Sequence, residues 1–323
     1  MMSFLEDGYA AVVGWRNRQW DSGRRPRVHV TLPVVSVGNL SVGGTGKTPV
    51  TALVVDMLKD LGRSPVIVAR GYGRRHRGLV VIQPYQADGM DPDVTGDEPL
   101  ELARRCGVPV VVARRKVDAA IHAAAEHLGD VIVVDDGFQH RDLVRELDIV
   151  IIDAATINTQ RLLPKGRLRE PLANVSRAHV VLLHGDVEAS RIDHVRSQDA
   201  LVLHVQFTTT VPPFNGTAIA VCGLGAPQRF YNGLAEAGTS ILGQTSFADH
   251  HRYLARDVDA IIRQANTLGA SAVLTTEKDV VKLRVWQQRF DAARIQLVVC
   301  GVSASLEGDV LAVLHKMQDR LQA

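Results

Sequence analysis

A lysine and a threonine directly behind a run of glycines can hold a phosphate chain, and residues 35–48 present them after a β-branched run and before a helical stretch. Gly43, Gly44 and Gly46 let the backbone fold so that successive amides face phosphate oxygens, aided by the positive end of the helix expected over 48–61. The whole loop Ser41-Val42-Gly43-Gly44-Thr45-Gly46-Lys47-Thr48 is thus the candidate ATP-binding segment. Lys47 would reach the β- and γ-phosphates, and Thr48 would offer its hydroxyl to Mg²⁺. The general pattern G-x-x-x-x-G-K-[ST] has glycine where this chain has Ser41.

Carboxylates come next. The apolar run 131–134 ends in Asp135 and Asp136, an arrangement that sets an acid at the edge of a sheet beside such a loop, where one of the two would bind Mg²⁺ directly or through water. Asp-Asp-Gly is also a good turn. Gln139 and His140 share that loop and could orient phosphate or water. Asp97 and Glu98, in Gly-Asp-Glu-Pro, open a helix over 100–105; they are either charges at a helix start, the reading the residues alone favour, or include a catalytic base. Arg70, Arg74, Arg75 and Arg77 follow a strand, where a phosphorylated second substrate would suit them as well as solvent would. His250 and His251 are adjacent, point in different directions and chelate poorly, so one of them reads as an acid–base or orienting group.

These groups need a frame. Short β-branched runs at 34–37, 66–69, 108–112, 131–134 and 149–152 alternate with helical stretches, the pattern of βαβ units around a parallel sheet. The polar, Arg-rich stretch 154–174, with Pro164 and Pro171, interrupts the alternation, and a second set follows at 180–183, 201–205, 217–221, 272–275 and 296–299. The chain therefore divides into an N-terminal helix with a basic segment (1–30), a P-loop kinase domain (31–155), a linker (156–174) and a second α/β domain (175–323). Gly223 and Gly225 do not begin a dinucleotide fingerprint, because Gln228 stands in the third glycine's place. Residues 3–20 place Leu5, Tyr9, Val12, Val13 and Trp20 at near-helical spacing with Arg16, Arg18, Arg24, Arg25 and Arg27 around the end. Such a helix either docks on the core or lies on an anionic membrane surface.

Composition sets bounds. Thirty-seven Lys and Arg against 35 Asp and Glu leave +2, too little for nucleic-acid binding by bulk charge. Cys106, Cys222 and Cys300 are too scattered for a disulfide framework or a Cys-x-x-Cys metal site, which fits a reducing compartment. No apolar run is long enough to span a bilayer, and Glu6 and Asp7 stand where a signal peptide would be basic, so neither secretion nor a transmembrane anchor is expected.

Taken together, VGNLSVGGTGKTP (37–49), ARGYGR (69–74), GDEP (96–99), VDDGFQH (134–140), LLPKGRLREP (162–171), FADH (247–250) and TTEKD (275–279) resemble the tetraacyldisaccharide 4'-kinases, also called lipid A 4'-kinases, in that family's order and over most of the chain. The resemblance implies transfer of the ATP γ-phosphate to the 4'-hydroxyl of a tetraacylated glucosamine disaccharide 1-phosphate. It also implies two α/β/α sandwich domains, the first a P-loop NTPase-type parallel sheet, with the active site between them and an N-terminal amphipathic helix. By the same resemblance Asp97 is the base, assisted by His250; Lys47 and Thr48 contact ATP and Mg²⁺; Asp135 and Asp136 support the metal, with Glu98 beside them; and Arg169 and Glu170 face the cleft. Ser41 fits this family's own form of the loop. A lipid substrate, peripheral attachment to the cytoplasmic face of the inner membrane through the N-terminal helix, and no nucleic-acid or obligate protein partner are implied as well. The alternative is a membrane-associated P-loop switch ATPase acting through a protein partner, against which Val42 counts, since such ATPases often carry lysine there.

Overall fold

The computed structural model describes residues 2–159 and 161–322, with side chains except at 2–4, 155, 159 and 322. In chain order the first part comprises α1 (Met2–Asp21), β1 (Val34–Asn39), α2 (Lys47–Asp60), β2 (Pro65–Ala69), β3 (Val80–Ile82), α3 (Pro92–Thr95), α4 (Asp97–Cys106), β4 (Val110–Val112), α5 (Lys116–Ala125), β5 (Val131–Asp135), β6 (Leu147–Asp153) and α6 (Ala154–Thr159). There follow β7 (Val180–His184), β8 (Leu201–Thr210), β9 (Ala218–Cys222), α7 (Pro227–Glu236), β10 (Ile241–Ser246), α8 (Ala255–Leu268), β11 (Ala272–Thr276), α9 (Glu277–Leu283), α10 (Gln287–Ala292), β12 (Gln296–Glu307) and α11 (Val310–Gln322).

The strands join in the order β10-β9-β11-β12-β8-β7-β6-β1-β5-β2-β4-β3. Pairing is parallel except at β3/β4 and β8/β12. β1, β2, β5 and β6 are buried at every residue, as parallel strands covered by helices on both faces must be. On one face, Val50, Val54 and Leu58 of α2 and Leu100 and Ala103 of α4 pack against Val35, Val37, Ile67 and Val133; on the other, Ala119, Ala120 and Ala123 of α5 pack against Val66, Val68 and Ile132. Each large aliphatic side chain so buried contributes about 1.5–3 kcal/mol relative to exposure. The second lobe repeats the sandwich around β9, β10 and β11, with Val258 and Ile261 of α8 on one face and Phe230 and Leu234 of α7 on the other.

Sheet pairing runs straight across the boundary expected at 174/175. β7 pairs in parallel with β6, and β8 with β7, so both extend the first lobe's sheet. β12 pairs with β11 through residues 296–300 and then, antiparallel, with β8 through residues 301–307, so one strand belongs to both lobes. Val313, Met317 and Leu321 of α11 then join the first lobe's core.

The basic-ended helix α1 docks on the first lobe. Val13, Asn17 and Trp20 are buried, Tyr9 Oη donates to the Arg169 carbonyl at 3.0 Å, and Arg141 pairs with Asp21. The neighbouring face leaves Leu5, Val12 and Trp15 more than half exposed. Among the described residues no helix is long and apolar enough to cross a membrane.

Candidate active site

β1 lies between β5 and β6, with Val37 level with Asp135, so the glycine-rich turn after β1 opens beside the two acids that end β5. Gly46, at φ 83°, caps α2 in the left-handed region that favours glycine, and a Cβ there would run into the Phe207 ring. Side chains brace the loop: Asn39 Nδ2 donates to Thr45 Oγ1, the Ser41 and Thr156 hydroxyl oxygens share a hydrogen bond at 3.1 Å, and Arg167 donates to the Val42 carbonyl at 2.9 Å. Ser41 also bridges to Leu168. The place where the general pattern has glycine is therefore a tied-down, buried serine.

Lys47 opens α2 with its ammonium 3.8 Å from Asp136, to which Arg169 donates two hydrogen bonds at 2.8 and 3.0 Å. Asp136 holds a left-handed backbone at φ 50°, an uncommon state for a non-glycine residue that turns its carboxylate into this cluster. Burial would raise its pKa, but Lys47, Lys116 and Arg169 win and hold it below the usual carboxylate range. Asp135 goes the other way: burial, reinforced by Glu98, pushes it up to about 6. Thr51 donates to it at 3.0 Å. The buried ammonium of Lys116 donates to the carbonyls of both aspartates, and burial lowers it to about 8. Burial also lowers His140 to about 3, and Gln139 donates to the Asn39 carbonyl at 2.8 Å.

On the same lobe, Asp97 is the first residue of α4 and accepts from the Glu98 amide at 3.0 Å. It also faces the second lobe, where His250 Nδ1 lies 3.1 Å from each of its oxygens. Lys282 donates to Asp97 Oδ2 at 3.1 Å. Burial alone would raise the Asp97 pKa; the His250 hydrogen bond, Lys282 and Lys278 more than reverse that and keep the carboxylate ionised. The same bond raises the His250 pKa. His250 sits at φ 58° in the loop after β10, and the exposed Tyr72 ring lies 5.1 Å away.

A family model described as Tetraacyldisaccharide-1-P 4'-kinase matches residues 1–320. The chain belongs to this family. A tetraacyldisaccharide 4'-kinase from Halorhodospira halophila is 38% identical over 320 residues, 97% of this chain and 93% of that protein. One from Koribacter versatilis is 34% identical over 330 residues, 98% and all of its length respectively. Among solved structures, an "apo" form of LpxK from Aquifex aeolicus in complex with ATP matches with a TM-score of 0.79 and 26% identity, over 99% of this chain and 98% of that one.

Membership in a kinase family displaces the switch-ATPase alternative. Within the 4'-kinase chain the structure brings Lys47, Thr48, Asp135 and Asp136 to one end of β1 and β5, and Asp97 to His250 from opposite lobes. One assignment changes, the choice between the two histidines closes, and Glu98 gains a partner in the second lobe. Glu170 does not face the cleft: it is fully buried and accepts from Asn17, Asn174 and Arg177. His251 turns away to Asp257 at the start of α8 and stacks on Phe247. Glu98 is engaged by Lys278 at 3.2 Å. Sequence reading missed Lys116, Lys278 and Arg229, which donates from α7 to the Gly44 carbonyl and, at 3.2 Å, to Asp153. For Lys278 the TTEKD match was a signal without a role; for Arg229 and Lys116 no local pattern marks a contact made across 185 and 19 residues.

Proposed function

We propose that this chain transfers the γ-phosphoryl group of ATP to the 4'-hydroxyl of tetraacyldisaccharide 1-phosphate. What supports this reading is a glycine-rich loop ending at Lys47 on one lobe and a carboxylate–imidazole pair, Asp97 and His250, completed by the other, with the charge of Glu98, next to Asp97, acting on Asp135 beside the loop. Loop amides and Lys47 hold the nucleotide's phosphates, and Arg169 steadies Asp136 beside them. Thr48, Asp135 and Asp136 offer oxygen donors only, and among the described residues no three His, Cys, Asp or Glu groups form a metal cage. That donor set suits Mg²⁺, which takes one or two carboxylates and completes its shell with water and nucleotide phosphate. Bound there, it would neutralise charge on the transferring group. Asp97 is the proton acceptor for the sugar hydroxyl; its cationic neighbours keep it a weak base, so it takes the proton as the oxygen bonds to phosphorus.

The acceptor is a lipid, and the exposed side of α1 supports reading this chain as a peripheral protein of the inner membrane's cytoplasmic face. Leu5, Val12 and Trp15 line that side, and Arg18 and Arg24 flank it in solvent. Neither a nucleic acid nor a protein partner is part of the reading. The test is incubation with Mg-ATP and detergent-dispersed disaccharide 1-phosphate: one phosphate gained by the lipid is expected, and no product under conditions where ATP binds would overturn the assignment.

A further inference from the structure

The TTEKD stretch folds as the end of β11 and the first turn of α9, with Thr276 capping the helix by accepting from the Asp279 amide. Asp279 is fully buried and accepts from Thr276, Tyr253 and the Gly223 amide. These bonds fix the start of α9, and from it Lys278 reaches across the cleft. Its ammonium lies 2.9 Å from Asp249 Oδ1, 3.2 Å from Glu98 Oε1 and 3.4 Å from His250 Nε2, with the side chain only 11% exposed.

The chemistry of these partners is one-sided. An ammonium carries three hydrogens and no lone pair, so each of its neighbours must accept. Two are carboxylates; the third is a ring nitrogen, which accepts only without a hydrogen of its own. The other ring nitrogen then carries the hydrogen and meets Asp97, an acceptor when ionised. We propose that Lys278 is a positioning residue that selects the Nδ1–H tautomer of His250, aiming its one hydrogen at Asp97 and leaving Nε2 bare. Lys282 completes the arrangement by donating to the second Asp97 oxygen. Other groups facing the ring are Asp249, whose Oδ1 is 3.9 Å from Nε2 and favours a proton there, and the uncharged Tyr72 ring. Lys278 is what opposes Asp249. The assignment of a catalytic purpose rests on Asp97 as proton acceptor; the tautomer itself does not.

The test reads the ring directly. Full-length protein labelled with [¹⁵N]histidine, with the His250 signals assigned by their loss in His250→Gln and read in buffer alkaline enough to leave the ring neutral, is expected to show a protonated Nδ1 and a bare Nε2. In Lys278→Met, Nε2 acquires a proton, as the other tautomer or the imidazolium, whereas Lys278→Arg keeps the wild-type pattern. A protonated Nε2 in the wild type, or an unchanged spectrum in Lys278→Met, overturns the proposal, and the wild-type measurement stands even where the Met variant fails to fold. In the kinase assay Lys278→Met is expected to lose kcat on the order of 10²-fold with KM for ATP unchanged, and Lys278→Arg to recover most of it. An active Asp97→Asn enzyme would remove the proton-acceptor role and leave the tautomer result standing.

Discussion

Asp97 shows why the residue scale needed the structure. Its position at the first turn of α4 is what a helix-start charge requires, and it does accept from the Glu98 amide there. The same carboxylate faces His250, 153 residues away, and no spacing within GDEP reports that contact. The helix-start and base readings therefore describe one residue with two sets of partners. Lys47 is the simpler case, because its proposed role follows from local sequence; Lys47→Met is expected to lower kcat roughly 10²–10³-fold with the fold intact, checked by steady-state turnover beside a melting curve. Glu101, on α4, gives a pH prediction. Burial, with Glu277 and Glu98 adding to it, raises its pKa from 4.5 to about 8. Between those values the unfolded chain binds fewer protons than the folded one, so stability contributed by this group falls as pH rises through the window. Glu101→Gln should flatten the melting temperature across that range and leave the variant more stable than wild type above it. A slope unchanged by the substitution would refute the assignment.

At the scale of elements, the two lobes meet along α4 and α9. Arg105 pairs with Glu277, Lys278 with Glu98 and Lys282 with Asp97, while Asp88 accepts from both Arg104 and Arg284. The site is thus assembled where charged helix faces close on each other. Most strands were legible because their residues are buried on both sheet faces and read as continuous Val and Ile runs. β3 was not, being three residues at the sheet's edge, and β10 read only as a strand-like run before Phe247, since Gly243, Gln244 and Thr245 interrupt its apolar character. For α1 the docking and surface readings both find residues, on neighbouring faces. Val12 is exposed and Trp15 meets only Arg25 over its ring, so replacing both by Glu should lower partition onto anionic vesicles several-fold with the melting temperature changed little, read by co-sedimentation. Undiminished vesicle binding would remove α1's outer face from membrane contact.

For the molecule as a whole, the long antiparallel pair β8/β12 makes one sheet of two sandwiches, and α11 carries the chain back to the first lobe. The alternation of strands and helices marked two α/β sets, and the family resemblance implied two sandwiches, but neither told that β7 and β8 extend the first sheet, because a linker rich in Pro and Arg marks a change of course without saying where the chain returns. On the proposed mechanism Asp97 and His250 would work only as a pair, because their 3.1 Å contact is built by both lobes. The direct measurement is a double-mutant cycle in single-turnover phosphoryl transfer from γ-labelled ATP to disaccharide 1-phosphate, using Asp97→Asn, His250→Gln and the double variant. Each single change should cost on the order of 10²–10⁴-fold, with the double variant no slower than the slower single. Losses that multiply, or an Asp97→Asn rate equal to wild type, would contradict a shared proton-accepting pair.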